Sequence, residues 1–231
     1  MDRDFFFDKE ICWYKRVCKY YNQPDQCNKG CIRYLEMFHL FNTSNLPENK
    51  WQPFTLTSDD CDYDSFLKLN EIKNDVLNFV NTGSSLYIFS RTTGNGKTSW
   101  AIKILQNYFN KIWNGNGFRK RALFIHVPSF LRMVTESFRK DSNADFGDIK
   151  YRLANDDLVV WDDIASTQLS PSDYKYLLSF IDQRILEGKS NIYTGNLNET
   201  NLESNLGPRL KSRVYDSSIK VELFGHDKRG R

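Results

Sequence analysis

The chain has 231 residues, of which 40% are hydrophobic and 26% are charged, and its formal net charge is +3. These proportions are those of a soluble globular protein with one domain and a small additional segment, and no apolar run approaches the roughly 20 residues that span a bilayer. The charge is too small to indicate nucleic-acid binding by bulk electrostatics, so such binding would need a local patch or a ring of several copies. The acidic N-terminus lacks a signal pattern, and we expect the protein in the cytoplasm.

Cysteines cluster near the N-terminus, where four of the five lie within the first 31 residues. The spacing is C-x5-C-x8-C-x3-C, formed by Cys12, Cys18, Cys27 and Cys31. Cytoplasmic thiols stay reduced, and Zn²⁺ binds four thiolates tetrahedrally in closed structural sites. We therefore predict that residues 1–42 form a zinc-binding module, since so short a segment builds little core without a metal. Two alternatives stay open: four free buried thiols, or His39 in place of one cysteine.

A polar stretch separates this module from the rest of the chain. Residues 43–65 contain two prolines and several aspartates and asparagines. Such a composition suits a linker or an extended wrap onto the next domain. Cys61 stands alone in this stretch, and we interpret it as an ordinary thiol.

Apolar runs alternate with amphipathic stretches over residues 66–231. The runs predict five strands, at 86–90, 122–127, 158–161, 191–196 and 219–224. Helical spacing follows the first two runs, and Ser170-Pro171 begins a further helix that should end at Gly188. Strands that alternate with helices predict an α/β fold, with a five-stranded parallel sheet covered by helices on both faces.

The first predicted strand leads into the sequence SRTTGNGKTSW, residues 90–100. It matches the phosphate-loop pattern G-x-x-x-x-G-K-[ST] except at the first position, where Arg91 replaces glycine. A preceding strand and a following helix are the context that such a loop requires, because backbone N–H groups and the helix N-terminus then converge on phosphate. We predict that ATP is bound by Thr93, Gly94, Asn95, Gly96, Lys97, Thr98 and Ser99. The alternative is an ordinary Gly-Asn turn between a strand and a helix.

Two adjacent carboxylates follow the third predicted strand. The sequence LVVWDD places Asp162 and Asp163 at the carboxyl edge of the sheet, where ligands bind in open α/β folds. We predict that Asp162 and the Thr98 hydroxyl hold Mg²⁺, while Asp163 polarises the water that attacks the γ-phosphate. Taken alone, two acids after a strand are more often an ordinary polar loop.

The order of elements, the GNGKT loop and the aspartate pair resemble the AAA+ ATPases, and specifically the DnaC/DnaI/IstB branch. The resemblance covers about residues 66–229 and implies an AAA+ P-loop core without a C-terminal helical lid. NIYTGNLN resembles the sensor strand, which implies that Asn196 orients the attacking water. GPRLKSRVYD resembles the arginine-finger segment, which implies a catalytic role for Arg213, with Arg209 as the fallback. Asn196 as a turn cap and Arg213 as a surface cation are the alternatives.

The same resemblance implies partners. Loaders of this branch deliver a DnaB-like replicative helicase onto single-stranded DNA as rings or spirals, and DnaI-type loaders carry an N-terminal zinc module. The sequence LYIFSRTTGNGKTSWAIKIL is similar in style to phage-encoded loaders, so we expect a role in phage DNA replication and in the host cytoplasm. ATP hydrolysis is expected to be weak without the helicase or DNA.

Further residues take roles from this resemblance. The DNA-contacting segment of these loaders corresponds to Arg132, Phe138, Arg139 and Lys140, which otherwise belong to an amphipathic helix with solvated cations. Arg229 resembles a tail arginine that would replace the missing lid arginine. Three other functions stay open: an IstB-like ATPase helper of a transposase, a non-catalytic adaptor or inhibitor of host replication proteins, and a DnaA-like origin binder.

Overall fold

The computed structural model describes residues 7–137, 144–166 and 168–228, with the backbone alone at residues 144 and 145. The strands are β1 (Ser85–Phe89), β2 (Ala122–His126), β3 (Leu158–Asp162), β4 (Ser190–Gly195) and β5 (Ile219–Glu222). The helices are α1 (Ile32–Thr43), α2 (Tyr63–Asn74), α3 (Val76–Asn81), α4 (Lys97–Ile112), α5 (Val127–Ser137), α6 (Ala144–Asn155), α7 (Pro171–Leu186) and α8 (Glu199–Lys211). A short π-helical turn, Ser212–Asp216, joins α8 to β5.

The five strands form one parallel sheet in the order β2-β3-β4-β1-β5. The predicted α/β fold and its five strands are therefore confirmed, with boundaries that differ by a few residues. In this order β1 lies between β4 and β5, so the loop after β1 is adjacent to the end of β4, and the end of β3 is one strand further away. Because all strands are parallel, their carboxyl ends meet at one edge of the sheet.

Helices cover both faces of the sheet, which explains why its strands are apolar runs rather than alternating patterns. On one face, buried side chains of α1 to α4 pack against strand residues such as Leu86 and Ile192. On the other face, α5 to α8 pack against residues such as Tyr87 and Trp161. Successive residues of a strand point to opposite faces, so adjacent side chains of one strand pack against different helix layers.

The N-terminal segment packs on α4 rather than standing apart from the sheet. The Trp13 and Phe41 rings are stacked with centroids 5.1 Å apart, and Phe41 meets Phe109 of α4 edge-on at 5.2 Å. The Tyr14 hydroxyl donates a hydrogen bond of 2.7 Å to Oδ1 of Asn110. Aromatic residues of the N-terminal segment thus have packing partners on α4 of the same chain.

The polar stretch after α1 wraps along the sheet. Phe124 lies on β2, an edge strand, and its N–H donates to the Ser44 carbonyl at 2.7 Å. Its carbonyl accepts from the Asn45 side chain at 3.1 Å. These bonds cover part of an edge whose backbone groups would otherwise be open to pairing with another chain. Trp51 is buried further along the stretch, and its indole N–H donates to the Leu46 carbonyl.

Local sequence signals account for some helix ends. Ser170 caps α7 by accepting from the N–H of Asp173, and the Asp173 carboxylate accepts from the N–H of Ser170 in return. Pro171 occupies the first helical position, as predicted, and α7 stops just before Gly188, whose φ is +64°.

Among the helices of the described residues, none combines the length and the apolar character that a membrane span requires.

Candidate nucleotide-binding site

The loop between β1 and α4 has the backbone of a phosphate-binding loop. Gly94 and Gly96 have φ values of +72° and +103°, a region that side chains with a Cβ rarely adopt. Gly96 directly precedes the first residue of α4, so the amide groups of the loop and of the helix N-terminus are close to each other. Such a combination of left-handed glycines and a helix start binds anions through backbone N–H groups.

Lys97 begins α4, and its side chain folds over this loop. Its amino group donates to the Thr92 carbonyl at 2.9 Å and lies 3.3 Å from Oδ1 of Asn95. Both acceptors are uncharged, so a phosphate oxygen would be a stronger partner for the ammonium group. The arrangement fits a lysine that exchanges loop contacts for the β- and γ-phosphates of a nucleotide.

Asp162 ends β3, and two hydroxyl groups donate to the same oxygen of its carboxylate. Thr98 Oγ1 and Thr194 Oγ1 each lie 2.7 Å from Asp162 Oδ1. Burial raises the pKa of Asp162, while these hydrogen bonds act in the opposite direction. A hydroxyl and a carboxylate at this distance form one side of a hard-cation site, because Mg²⁺ prefers oxygen ligands and keeps several waters.

Asp163 follows in the left-handed region, with a φ of +63°. Its N–H donates to Thr194 Oγ1 at 3.0 Å, so one hydroxyl contacts both members of the acidic pair. The sequence analysis missed Thr194 because it concentrated on charged and amide groups. The available signal was its position on β4, two residues before Asn196 and next to β3 in the sheet.

Asn196 directly follows β4 at the same edge of the sheet. Its Oδ1 atom is buried and has no hydrogen-bond partner among the residues that the structure describes. A buried acceptor without a partner is costly unless a ligand or water meets it, so this amide fits the predicted contact with a water near the phosphates.

Gly195 ends β4, and the packing of Tyr87 explains why glycine stands there. A Cβ at Gly195 would lie 2.6 Å from the Tyr87 hydroxyl oxygen, which is too close for any side chain. The same hydroxyl donates to the Leu197 carbonyl at 2.8 Å. A large aromatic residue on β1 therefore requires glycine on the adjacent strand.

The described donor set fits MgATP. The glycine loop and Lys97 can hold the phosphates, Thr98 and Asp162 can hold the cation, and Asp163 and Asn196 can act on a water. These side chains come from the ends of β3 and β4 and from the first turn of α4, as expected for ligand sites in parallel sheets. The predicted nucleotide residues thus lie close together in the fold.

Arg91 does not disturb this arrangement. Its side chain is 75% exposed, and Nε lies 4.0 Å from the Glu222 carboxylate on β5. The tight part of the loop is instead fixed by Asn95, which is buried and donates to the Ser90 hydroxyl and to the Leu223 carbonyl. The first glycine of the pattern can therefore be replaced, since that position points outward from the loop.

The predicted arginine finger lies in the π-helical turn after α8. The Arg213 Nε atom is 2.5 Å from Asp182 Oδ1 of α7, and the Arg213 side chain is partly exposed. Arg209, the fallback, is exposed on α8. The described hydrogen bonds and ion pair of Arg213 join it to Asp182, not to the phosphate loop of its own chain.

The predicted DNA contacts are only partly described. Arg132 is exposed on α5, while Phe130 and Val134 of the same helix are buried against the sheet. This helix is therefore amphipathic, with a cation on its solvent side. Phe138, Arg139, Lys140 and the tail residue Arg229 lie outside the described residues.

The four N-terminal cysteines lie near one another but do not form a metal site in this structure. Burial raises the pKa of the Cys12 thiol, the backbone at Tyr14 lowers it, and the neighbouring thiols of Cys31, Cys18 and Cys27 raise it further. No group of three or more His, Cys, Asp or Glu side chains in the described ranges is arranged to hold a metal ion. His39, the alternative ligand, packs its ring edge-on against Phe118. The structure thus does not support the predicted zinc site, which stays a prediction.

No protein-family model matches the chain, and no curated protein is similar to it in sequence. Solved structures are similar in fold. The DnaC helicase loader is 18% identical over 77% of this chain and 99% of its own, with a TM-score of 0.63. DnaI is 16% identical over 77% and 94%, with a TM-score of 0.61. The replication initiator DnaA bound to AMPPCP and single-stranded DNA is 15% identical over 73% and 48%, with a TM-score of 0.59, so this chain spans about half of that protein.

The chain has the α/β fold of the DnaC and DnaI structures. The match extends over nearly the whole of the solved DnaC and DnaI chains. The predicted fold resemblance is therefore confirmed.

Proposed function

We propose that this protein is an ATP-dependent loader that delivers a DnaB-like replicative helicase onto single-stranded DNA, in the cytoplasm and during phage DNA replication. The observation that carries the proposal is the site itself: Lys97, Thr98, Asp162, Asp163 and Asn196 converge at one sheet edge. The match to nearly the whole solved chains of DnaC and DnaI, the first of which is named a helicase loader, supports loading over other uses of the same core.

Hydrolysis follows from the roles of these side chains. ATP supplies the transferable phosphoryl group, and Mg²⁺ neutralises part of its charge when bound. Lys97 and the loop amides hold the phosphates, Thr98 and Asp162 orient the cation, and Asp163 accepts the proton of a water that Asn196 positions. Arg213 of a neighbouring copy would contribute a positive charge, so turnover should depend on assembly.

The direct experiment measures ATP turnover by the full-length protein alone, with single-stranded DNA, and with a DnaB-family helicase. We expect weak turnover alone and stimulation by DNA or helicase. Wild-type protein that binds no ATP at millimolar nucleotide would support the adaptor alternative instead. Capture of a transposase rather than a helicase from the native host would favour the IstB-like helper.

The N-terminal module is proposed to dock the helicase and to hold one zinc ion through Cys12, Cys18, Cys27 and Cys31. The proposal rests on the spacing C-x5-C-x8-C-x3-C, since four thiolates make a complete tetrahedral ligand set for Zn²⁺. Metal analysis of purified full-length protein should give one zinc per chain. Cys18→Ser should lose it, whereas Cys61→Ser, which changes an exposed and isolated thiol, should keep it. Zinc-free wild-type protein would contradict this part of the proposal.

A further inference from the structure

The C-terminal segment, residues 223–228, lies against the phosphate loop. The N–H of Lys228 donates to the Gly94 carbonyl at 2.9 Å. The Thr92 hydroxyl donates to the Gly225 carbonyl at 3.1 Å. The segment therefore follows the loop from one end to the other, and the loop cannot move far without breaking these bonds.

Asp227 brings a carboxylate into direct contact with this loop. A Cβ built on Gly94 would lie 1.7 Å from Asp227 Oδ1 and 2.2 Å from Cγ, so only glycine admits the carboxylate so closely. The loop N–H groups and Lys97 are the groups that we assign to phosphate. A negative charge beside them opposes the approach of a triphosphate, because like charges a few ångströms apart repel each other.

The opposite side of the segment is held by two carboxylates of the stretch before α2. Asp62 accepts from the N–H groups of Phe224 at 2.6 Å and Gly225 at 3.0 Å, and Asp59 accepts from that of His226 at 3.0 Å. A Cβ at Gly225 would lie 2.3 Å from an Asp59 oxygen and 2.5 Å from an Asp62 oxygen. The segment is thus clamped between the phosphate loop and the stretch that leads from the N-terminal region.

We propose that Asp227 sets the nucleotide affinity of the site, and that Asp59 and Asp62 position it by holding the C-terminal segment on the phosphate loop. Nucleotide binding then displaces Asp227 and loosens the bonds to Asp59 and Asp62. The stretch before α2 therefore responds to the nucleotide state of the core. The inference rests on the proposed nucleotide-binding function and adds to it a route to the N-terminal region.

The test measures the binding of the non-hydrolysable analogue AMPPCP with Mg²⁺ to the full-length protein. Asp227→Asn removes the charge from an exposed side chain and should tighten binding about tenfold. Asp59→Asn should tighten it less, because it only weakens the clamp. Asp60→Asn is the matched control, since it changes an exposed carboxylate on the same turn and should leave affinity unchanged. Hydrogen exchange of the Phe224–His226 amides should rise when AMPPCP is added.

The outcomes distinguish a failure of this inference from a failure of the proposed nucleotide site. If Asp227→Asn binds AMPPCP no better than wild type, or if the nucleotide leaves amide exchange at residues 224–226 unchanged, the inference is wrong while the nucleotide site stands. If wild type does not bind and Asp227→Asn does, both the site and the inhibitory carboxylate are supported. If neither protein binds, the proposed function and this inference fail together.

Discussion

At the scale of single residues, the catalytic assignment rests on side chains that have separable roles. Lys97 donates to its own loop, and Asp163 is the second member of the acidic pair. One residue thus belongs to binding and the other to chemistry. This division can be tested with two substitutions.

Lys97→Ala should abolish ATP binding, because it leaves the β- and γ-phosphates without their cationic partner. Asp163→Ala should bind ATP as wild type does and hydrolyse it about 10²–10⁴-fold more slowly, as is typical for loss of a general base. Equilibrium binding and steady-state turnover measure the two effects. A Lys97→Ala protein that binds ATP normally would show that the phosphates lie elsewhere.

Thr194 is the residue that the geometry adds to this set. Thr194→Val removes the hydroxyl that donates to Asp162 and accepts from the Asp163 N–H, at similar side-chain volume. Leaving those buried groups unsatisfied costs about 1–3 kcal/mol, so we expect turnover to fall about tenfold or more and the Mg²⁺ requirement to rise.

Thr194→Ser is the matched control, since it keeps the hydroxyl and should recover most of the turnover. Nucleotide affinity without Mg²⁺ should be similar in all three proteins. Equal loss of turnover in the serine and valine variants would mean that Thr194 acts by packing alone.

At the scale of elements, α1 joins the N-terminal segment to the sheet. Phe41 of α1 is buried between Trp13 and Phe109, and Ile32 of the same helix is 69% exposed. Comparing substitutions at these two positions separates the contribution of buried packing from that of an exposed position on the same helix.

Phe41→Ala should lower the free energy of unfolding of the whole protein by about 3–5 kcal/mol, because a buried aromatic side chain leaves a cavity. Ile32→Ala should change it by less than about 0.5 kcal/mol. Urea unfolding of full-length protein gives both values. A Phe41→Ala protein as stable as wild type would show that α1 folds and unfolds separately from the sheet.

At the scale of the whole molecule, we propose that Arg213 of a neighbouring copy completes the site. Arg213→Ala should bind ATP normally and hydrolyse it slowly, since arginine fingers are worth about 10³–10⁵ in rate. Mixing it with Lys97→Ala should restore part of the turnover at mixed interfaces, measured as ATP hydrolysis against the mixing ratio.

The ion pair between Arg213 and Asp182 provides the control for this prediction. Asp182→Asn removes the partner within the chain and keeps the arginine, so turnover should persist. If Asp182→Asn is as slow as Arg213→Ala, and mixing restores nothing, the arginine serves only the packing of α7 against the turn that follows α8.

The sequence by itself determined the sheet and the phosphate loop. Both depend on local patterns: apolar runs of strand length, and glycines with a lysine and threonine between a strand and a helix. The cap at Ser170 belongs to the same class of signal, because its hydrogen bonds join residues three positions apart. Such local signals can be recognised in the sequence without knowing how the rest of the chain folds.

Only the tertiary structure decided which distant residues meet. The contact of Asp227 with Gly94, the role of Thr194 and the need for glycine beside Tyr87 each join residues that lie far apart along the chain. Several N-terminal aromatic side chains pack on α4, a contact that composition cannot show because it does not say what covers an apolar residue. The order of the strands in the sheet determines these contacts. That order depends in turn on how the helices cover the two faces of the sheet.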